Sequence, residues 1–433
     1  MKKTTLSAVL LLTFLNAQAG GILTNTNQHV NFLRKVALGA SHDIDAAYSN
    51  PAGTGFMTDG WRLSLNIQSV YQTRGIESTF PLYPEGTRSF EAHASAPILP
   101  SAYASFNKNK WGVSGFVGLV GGGGKASFND GLPMFRSQVM AGIHAKTQGK
   151  VTPDMYDISS SMKGSQFIYA GQFGGVYRFM PGLTAYAGIR ANYFFGNYSG
   201  YVTAKLKSVE KTLVDLRLDC DQTGWGITPV VSVNYKYRGL TLAAKYEFKT
   251  NLNIENDTKE NSDPNGALAS FRDGVNTPSD IPALLSVAAG YEFTPQLRAT
   301  IEYHFFDDKN ADMAGQKQKA LTRGTNEFLA GIEYDINKIF TISAGGQRTD
   351  YGQTDDFQQN TAFSCDSWSV GLGAAVHFSK KVTMSVGYFA TKYQDYTKKS
   401  EAGKPGYHGT TLPGQDVYSR TNKVFGMGID YKF

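Results

Sequence analysis

The feature that most constrains this chain is a period-two alternation of apolar and polar residues that continues to its last residue. In the final segment Phe425, Met427, Ile429, Tyr431 and Phe433 share one face of a predicted strand, with Gly, Asp and Lys between them. About fourteen segments of this period follow residue 60, separated by turn or loop sequences. The alternation predicts an all-β chain whose strands have one apolar and one polar face.

The connections between these segments alternate in length. Tight turns such as Arg238-Gly239 and Asn337-Lys338 are followed by long loops, the longest predicted at 121–164. This rhythm is typical of outer-membrane barrels, in which a charge facing lipid at mid-depth costs about 2–4 kcal/mol. We therefore predict a transmembrane antiparallel β-barrel of about 14 strands over residues 61–433, with a secreted β-sandwich as the alternative.

The N-terminus and the overall charge indicate the compartment. Residues 1–19 have the features of a secretory signal peptide: Lys2-Lys3, an apolar run, and Ala17-Gln18-Ala19 as the cleavage site. No later apolar run is long enough for a transmembrane helix. The net charge is +6, but the lysine and arginine residues do not cluster into a basic stripe, which argues against a nucleic-acid partner.

We therefore expect the protein in the outer membrane of a Gram-negative bacterium, as a monomer in contact with membrane lipid and lipopolysaccharide. The aromatic C-terminus, Phe433, is the expected signal for the barrel assembly machinery.

Residues 20–60 differ from the rest of the chain, because they are Ala-rich and favour helix. They end in Asn50-Pro51-Ala52-Gly53, where proline fixes its own φ, restricts Asn50 to extended geometry and precedes a glycine that can adopt positive φ. A barrel of about 14 strands is too wide for its wall side chains to fill. We predict that residues 20–60 form a helical hatch inside the barrel, hinged and gated at this stiff corner.

Several residues of the predicted hatch resemble the plug signature of the FadL/TodX family of outer-membrane channels. The matching positions are Arg34, Ala37-Leu38-Gly39-Ala40, Asp45-Ala46-Ala47-Tyr48 and Asn50-Pro51-Ala52-Gly53, and Ile281-Pro282-Ala283 is similar to the family pattern at a later strand. The resemblance implies passive uptake of long-chain fatty acids or other hydrophobic molecules, such as hydrocarbons, without a cofactor. It further implies capture on outer loops, release by hatch movement and lateral exit near the third strand.

The second and third strands have a composition that would weaken their pairing. Pro97 and Pro100 cannot donate to a β-ladder, and Gly112, Gly115 and Gly118 mark bends or close approaches in the strand opposite. Together with the resemblance, these residues predict a lateral seam. The alternative is an ordinary glycine-rich strand with prolines at a loop end.

Two groups of residues are candidates for ligand binding. In the predicted outer loop, Leu132, Phe135 and Val139 have helical spacing around Pro133; capture of apolar ligand and packing as a lid are the two roles we consider, and they are compatible. Other candidates have inward parity on predicted strands, and their positive charges either bind a ligand carboxylate or pair with acidic residues. These inward candidates are Phe116, Tyr186, Arg190, Phe194 and Lys245.

The two cysteines, Cys220 and Cys365, are predicted on outer loops, where they either form a disulfide or remain free. The sequence contains no recognisable catalytic motif and no metal-ligand spacing, so we predict no catalytic residues, no metal and no enzyme. A general-diffusion or structural porin, with the hatch as a constriction, is the main alternative function.

Overall fold

The computed structural model describes residues 23–209, 211–403 and 405–433, so the predicted signal peptide and the first three hatch residues lie outside the described part of the chain. Within these ranges the chain forms a closed antiparallel barrel of 14 strands. The first strand pairs with the last from Arg62↔Lys432 to Thr79↔Gln415, which closes the cylinder. The predicted 14-stranded antiparallel β-barrel is therefore confirmed.

The strands follow one another around the barrel in sequence order, and three of them are interrupted and consist of two pieces. The strands are β1 (Gly60–Thr79), β2 (Thr87–Lys108), β3 (Trp111–Phe128), β4 (Tyr156–Met180), β5 (Leu183–Leu206), β6 (Thr212–Tyr237), β7 (Leu240–Glu247 and Asn253–Asn261), β8 (Asn276–Pro278 and Leu284–Glu292), β9 (Leu297–Phe306), β10 (Thr325–Asp335), β11 (Phe340–Asp350), β12 (Ser367–His377), β13 (Val382–Tyr393 and Tyr396–Ser400) and β14 (Gly414–Lys432).

Helices are confined to the N-terminal segment and the loops. The α-helices are α1 (Val30–Lys35), α2 (Ala46–Ser49) and α3 (Pro133–Thr147), and the 3₁₀ turns are Pro51–Phe56, Pro153–Met155, Ala269–Phe271, Asp308–Asn310, Ala314–Ala320 and Tyr407–Gly409. None of the helices among the described residues is long and apolar enough to cross a membrane.

The two faces of each strand differ as the alternation predicts. On β14, Phe425, Met427 and Ile429 point outward and are about half exposed, whereas the inward Tyr418 and Val424 are buried. The outer surface of the barrel is therefore apolar, and polar residues such as Ser64 and Asn66 of β1 face the interior. This distribution is that of a barrel surrounded by lipid rather than by water.

The predicted alternation of short and long connections is correct, but several strands run further than the sequence suggests. The loop predicted at 121–164 is reduced to 129–155, because β3 continues to Phe128 and β4 begins at Tyr156. Strand alternation is clearest where one face contacts lipid. Beyond that zone both faces contact water or protein, so the signal weakens while the hydrogen-bonded ladder continues.

Candidate functional site

The N-terminal segment, residues 23–59, lies inside the barrel and is bonded to inward side chains on many strands. The carboxylate of Glu302 on β9 accepts hydrogen bonds from the backbone N–H groups of Leu38 and Gly39, each at 2.8 Å. The carboxylate of Glu333 on β10 forms an ion pair of 2.6 Å with Arg34 of α1. The segment thus fills the interior through polar contacts with the wall.

Four strands away around the barrel, the Asn50-Pro51-Ala52-Gly53 motif follows α2, begins the 3₁₀ turn and is bonded to the wall. The N–H of Ala52 donates to Ser232 of β6 at 2.9 Å, and its carbonyl accepts from Thr184 of β5 at 2.7 Å. Gly53 does not adopt positive φ. Glycine is needed there because an added Cβ would lie 2.2 Å from the carbonyl oxygen of Ser41.

The predicted inward cations are paired with an acidic residue of the wall. Arg190 bonds to Glu247, and the ammonium of Lys245 lies 2.7 Å from the same carboxylate. The ring of Tyr48, from the N-terminal segment, lies 5.4 Å from the guanidinium of Arg190 and 5.3 Å from the ammonium of Lys245. The sequence left open whether these cations bind a ligand carboxylate or pair with acidic residues. In the structure they pair with Glu247.

The predicted inward aromatic residues are buried against the N-terminal segment. Phe116 of β3 packs on Tyr48, with ring centroids 4.7 Å apart, and Phe194 of β5 belongs to the same apolar cluster. Tyr186 of β5 contacts a separate small cluster with Ala52. These residues position the segment within the barrel.

A cavity of about 160 Å³ lies between the N-terminal segment and the outer loops. Its floor comes from residues 24–28 and Phe32, its wall includes Val70 and Leu99, and loop residues such as Phe357 and Leu132 cover it. Apolar and polar residues contribute to the lining in about equal numbers, a combination that can accommodate an amphipathic small molecule.

The barrel wall has a break in its pairing beside this cavity, between β2 and β3. The two strands are paired from Ala102↔Val117 to Lys108↔Trp111 and again from Ala92↔Phe128 to Ser95↔Lys125, whereas residues 96–101 and 118–124 have no register partners across this boundary. Pro97, Pro100 and Gly118 of the predicted seam lie in this gap. Gly112 and Gly115 lie in the continuously paired part.

Two other glycines give β3 its shape in the gap. Gly122 has φ +102° and Gly124 has φ +88°, and a Cβ at Gly122 would lie 2.1 Å from the carbonyl oxygen of Gln166. Their region of β3 also has register shifts against β4, between Leu119 and Gly121 and between Gly122 and Gly124. The strand therefore bends where its pairing with β2 is lost.

The helix predicted in the longest loop is present as α3, but its apolar side chains are buried. Phe135 and Val139 belong to a large cluster under the outer loops that also contains Phe80 and Tyr407. Leu132, at the start of the helix, lines the cavity, whereas Phe135 and Val139 do not. Of the two interpretations, an exposed capture surface is wrong for these side chains, because packing against neighbouring loops covers them.

The two cysteines are free, so the considered disulfide is absent from the structure. Cys220 lies within β6 rather than on a loop, and its sulfur accepts a hydrogen bond from the hydroxyl of Thr258 at 3.3 Å. Cys365 lies in the loop before β12, and burial raises the pKa of its thiol to about 11. Both free cysteines are buried and belong to the same large apolar cluster.

Sequence reasoning missed the residues whose role depends on a partner elsewhere in the barrel. Glu302 and Glu333 have inward parity, but nothing local indicates that they bond the N-terminal segment. Arg74 of β1 and Arg420 of β14 line the cavity. Inward parity would have identified both arginines, because each follows the alternation of its strand. Among the described residues, no group of three or more His, Cys, Asp or Glu side chains is arranged to hold a metal ion.

The barrel with its enclosed segment has the same fold as several solved transporter structures. A FadL homologue of Pseudomonas aeruginosa superposes with a TM-score of 0.67 at 14% identity, covering 96% of this chain and 100% of that one. The toluene transporter TbuX of Ralstonia pickettii gives 0.59 at 14% identity over 95% and 99%, and TodX of P. putida, also a toluene transporter, gives 0.55 at 14% over 90% and 94%.

No protein-family model and no curated protein sequence matches the chain. The structural likeness therefore establishes a FadL-like fold.

Proposed function

We propose that this protein is an outer-membrane channel for the passive uptake of hydrophobic small molecules. The observation that carries the proposal is the cavity, because it lies above the N-terminal segment and reaches the unpaired stretch of β2 and β3 through Leu99, Gly122 and Gly124. A solute in this cavity has the N-terminal segment below it and a weakened part of the wall beside it.

The lateral exit is the first part of this proposal. β2 and β3 are paired both above and below the gap. An opening here would therefore be a short window that is closed at both ends by paired strands. Pro97 and Pro100 have no backbone N–H, so this stretch of β2 has two fewer ladder donors. An apolar solute that leaves here enters lipid without crossing water, which favours hydrophobic cargo over sugars.

Gating by the N-terminal segment is the second part. The Asn50-Pro51-Ala52-Gly53 motif is bonded to β5 and β6, whereas the part from residue 23 to α2 has polar contacts with other strands, including β9 and β10. Movement of that first part about the fixed motif would connect the cavity to the space beneath it. Such contacts exchange with water at modest cost, which suits a gate.

The cargo and surroundings follow from the same features. The related folds include toluene transporters and a FadL homologue, so long-chain fatty acids and hydrocarbons are the classes to test first. The apolar outer face supports a location in a Gram-negative outer membrane, where we expect lipopolysaccharide around the outer half of the barrel. We expect a monomer that is assembled through recognition of Phe433.

The window is tested by a reversible crosslink across it. A Cβ at Gly118 would lie 2.9 Å from the Cβ of Ser101, so Ser101→Cys with Gly118→Cys brings two thiols within disulfide reach after a small shift. Oxidation should reduce uptake of a radiolabelled fatty acid or toluene into cells by at least tenfold, and reductant should restore it. The matched control is Ser105→Cys with Ser114→Cys, which are register partners on the same strands below the gap.

Unchanged uptake in the oxidised Ser101–Gly118 pair would contradict the lateral route. The porin alternative is distinguished by solute: a general-diffusion pore passes small sugars, whereas this protein should pass them only after residues 23–49 are deleted.

A further inference from the structure

Two lysines point outward from adjacent strands at one edge of the apolar surface of the barrel. Lys392 of β13 and Lys423 of β14 are exposed, and they have the outward parity of their strands. The register places Ala390 opposite Lys423, so Lys392, two residues further along β13, is a diagonal neighbour of Lys423. Below them Tyr388 and Phe425 are register partners whose ring centroids lie 4.6 Å apart. The outer wall thus changes here from aromatic to basic within one outward row.

The position of Lys423 matches the outer boundary of the hydrocarbon layer. On β14 the outward side chains from Phe433 to Phe425 are all large hydrophobics, and Lys423 is the next outward residue. Lys423 lies about 33 Å from Phe433 along the strand, which is about 25 Å along the membrane normal at a tilt of about 40°. The apolar band of a membrane barrel has a height of about 25 Å. With the long loops outermost, the two lysines therefore lie at the level of the head groups of the outer leaflet.

Both lysines lack an acidic partner within the part of the chain that the structure describes. Neither ammonium group forms an ion pair or a hydrogen bond with another residue in these ranges. Other cations of the outer wall do have partners: Lys259 lies 2.5 Å from Asp221, and Arg348 of β11 lies 3.3 Å from Asp366. Two like charges side by side repel each other, and a bound anion would replace this repulsion with attraction.

Exposed aromatic side chains flank the two lysines. Trp368 of β12 is the register partner of Lys392, and Tyr71 of β1 is the register partner of Lys423. The guanidinium of Arg348 lies 5.2 Å from the centroid of the Trp368 ring, on the side away from Lys392. Trp and Tyr rings prefer the interface between hydrocarbon and head groups. The surface thus combines cations for a head group with rings for the upper part of acyl chains.

We propose that Lys392 and Lys423 bind a phosphate of the lipid A part of lipopolysaccharide, whose acyl chains then lie along Tyr388 and Phe425. The inference rests on the proposed outer-membrane location and concerns the outer wall rather than the cavity. A phosphate monoester carries a charge of about −1.5 to −2 at pH 7, which two ammonium groups balance. The phosphodiester of a phospholipid has only one ionisable oxygen and would leave one ammonium group uncompensated. The bound lipid would cover the closure of β14 on β1.

The test compares lipids that differ in their phosphate groups. Diphosphoryl lipid A, lipid A from which both phosphates have been removed, and phosphatidylglycerol are titrated into the full-length mature protein in a non-ionic detergent. EDTA is present so that no divalent cation bridges a phosphate to the protein, and native mass spectrometry measures the bound fraction. The wild type should bind diphosphoryl lipid A about tenfold more tightly than either other lipid. Lys392→Gln and Lys423→Gln should each weaken this binding about fivefold, and the double variant about twenty-fivefold.

The controls separate loss of the site from loss of the fold. Lys259→Gln removes an exposed lysine of the outer wall that is paired with Asp221, and it should leave the affinity for lipid A unchanged. Lys392→Arg and Lys423→Arg should retain the affinity, because a guanidinium group also binds phosphate. Heat-dependent gel mobility shows whether each variant remains a folded barrel. The double Gln variant should take up fatty acid or toluene as the wild type does, because neither lysine lines the cavity.

The outcomes distinguish this inference from the proposed function. Equal binding of lipid A and phosphatidylglycerol by the wild type would overturn the assignment to lipid A and indicate a general contact with anionic lipids. Folded Gln variants with unchanged affinity for lipid A would overturn the lysine site. Both results would leave the proposed channel intact, because uptake tests it separately. A wild-type protein that binds lipid A through these lysines but takes up no hydrophobic solute would contradict the channel alone.

Discussion

Removing the carboxylate of Glu302 should loosen the N-terminal segment while the strands of the barrel remain paired. One oxygen of this carboxylate accepts from Leu38 and Gly39 at 2.8 Å each, and the other lies 2.7 Å from the imidazole of His304. Hydrogen bonds to a charged acceptor contribute about 1.5–3 kcal/mol each. Glu302→Ala removes two such bonds between segment and wall, so the contacts that hold the segment weaken by about 3–6 kcal/mol.

The expected consequence is a leak to polar solutes. Because about 1.4 kcal/mol is a factor of ten in an equilibrium constant, even a loss of about 3 kcal/mol raises the population of a displaced segment roughly a hundredfold. Single-channel recording in planar bilayers should show rare openings in the wild-type protein and openings about two orders of magnitude more frequent in Glu302→Ala. The matched control, Glu292→Ala, removes an acid from an exposed pair with Lys236 and should open as rarely as wild type.

A folded Glu302→Ala protein with wild-type conductance would refute the reasoning. In that case other contacts of the segment, such as Arg34 with Glu333, would suffice to hold it.

Three further predictions concern single positions. Gly122→Ala places a side chain at positive φ against Gln166 and should lower the free energy of unfolding by about 1–3 kcal/mol. The heat-dependent gel shift should then occur at a lower temperature. An unchanged transition temperature would mean that β3 can straighten. Burial raises the pKa of Asp308 in the outer loop to about 7, so the folded protein keeps a proton that the unfolded chain releases near pH 4. The stability of the loop should therefore fall as the pH rises from 4 to 7. Limited proteolysis measures this stability, and Asp308→Asn should remove most of its pH dependence. A polar maleimide should label neither Cys220 nor Cys365 until the protein is denatured, whereas rapid labelling would contradict their burial.

The fold was predictable because a lipid-facing barrel repeats one local rule in every strand. The alternation of Phe425, Met427 and Ile429 identifies an outward face, and the same parity correctly places Arg190 and Lys245 inside. Boundaries were less predictable, as at Phe128 and Tyr156, because strands beyond the lipid lose the one-sided apolar pattern while keeping their ladder.

The candidate site was only partly predictable, because contacts inside the barrel join residues that local sequence patterns do not connect. Inward parity identified Arg190, but its partner Glu247 could be recognised only in three dimensions. Prolines at positions 97 and 100 indicated a weakened ladder, yet the gap became evident only from the register of β2 against β3. Likewise, Arg74 and Arg420 lie side by side only because the first strand pairs with the last.

The length of the central strands determines how far the entrance stands from the membrane. β6 has 26 residues, so it extends about 85 Å along its own axis and about 65 Å along the barrel axis at a tilt of about 40°. The hydrocarbon layer needs only about 25 Å of that height. In the membrane orientation proposed above, with the long loops outermost, the mouth would lie roughly 40 Å above the hydrocarbon layer, so a hydrophobic solute would enter the protein well before it reaches the membrane.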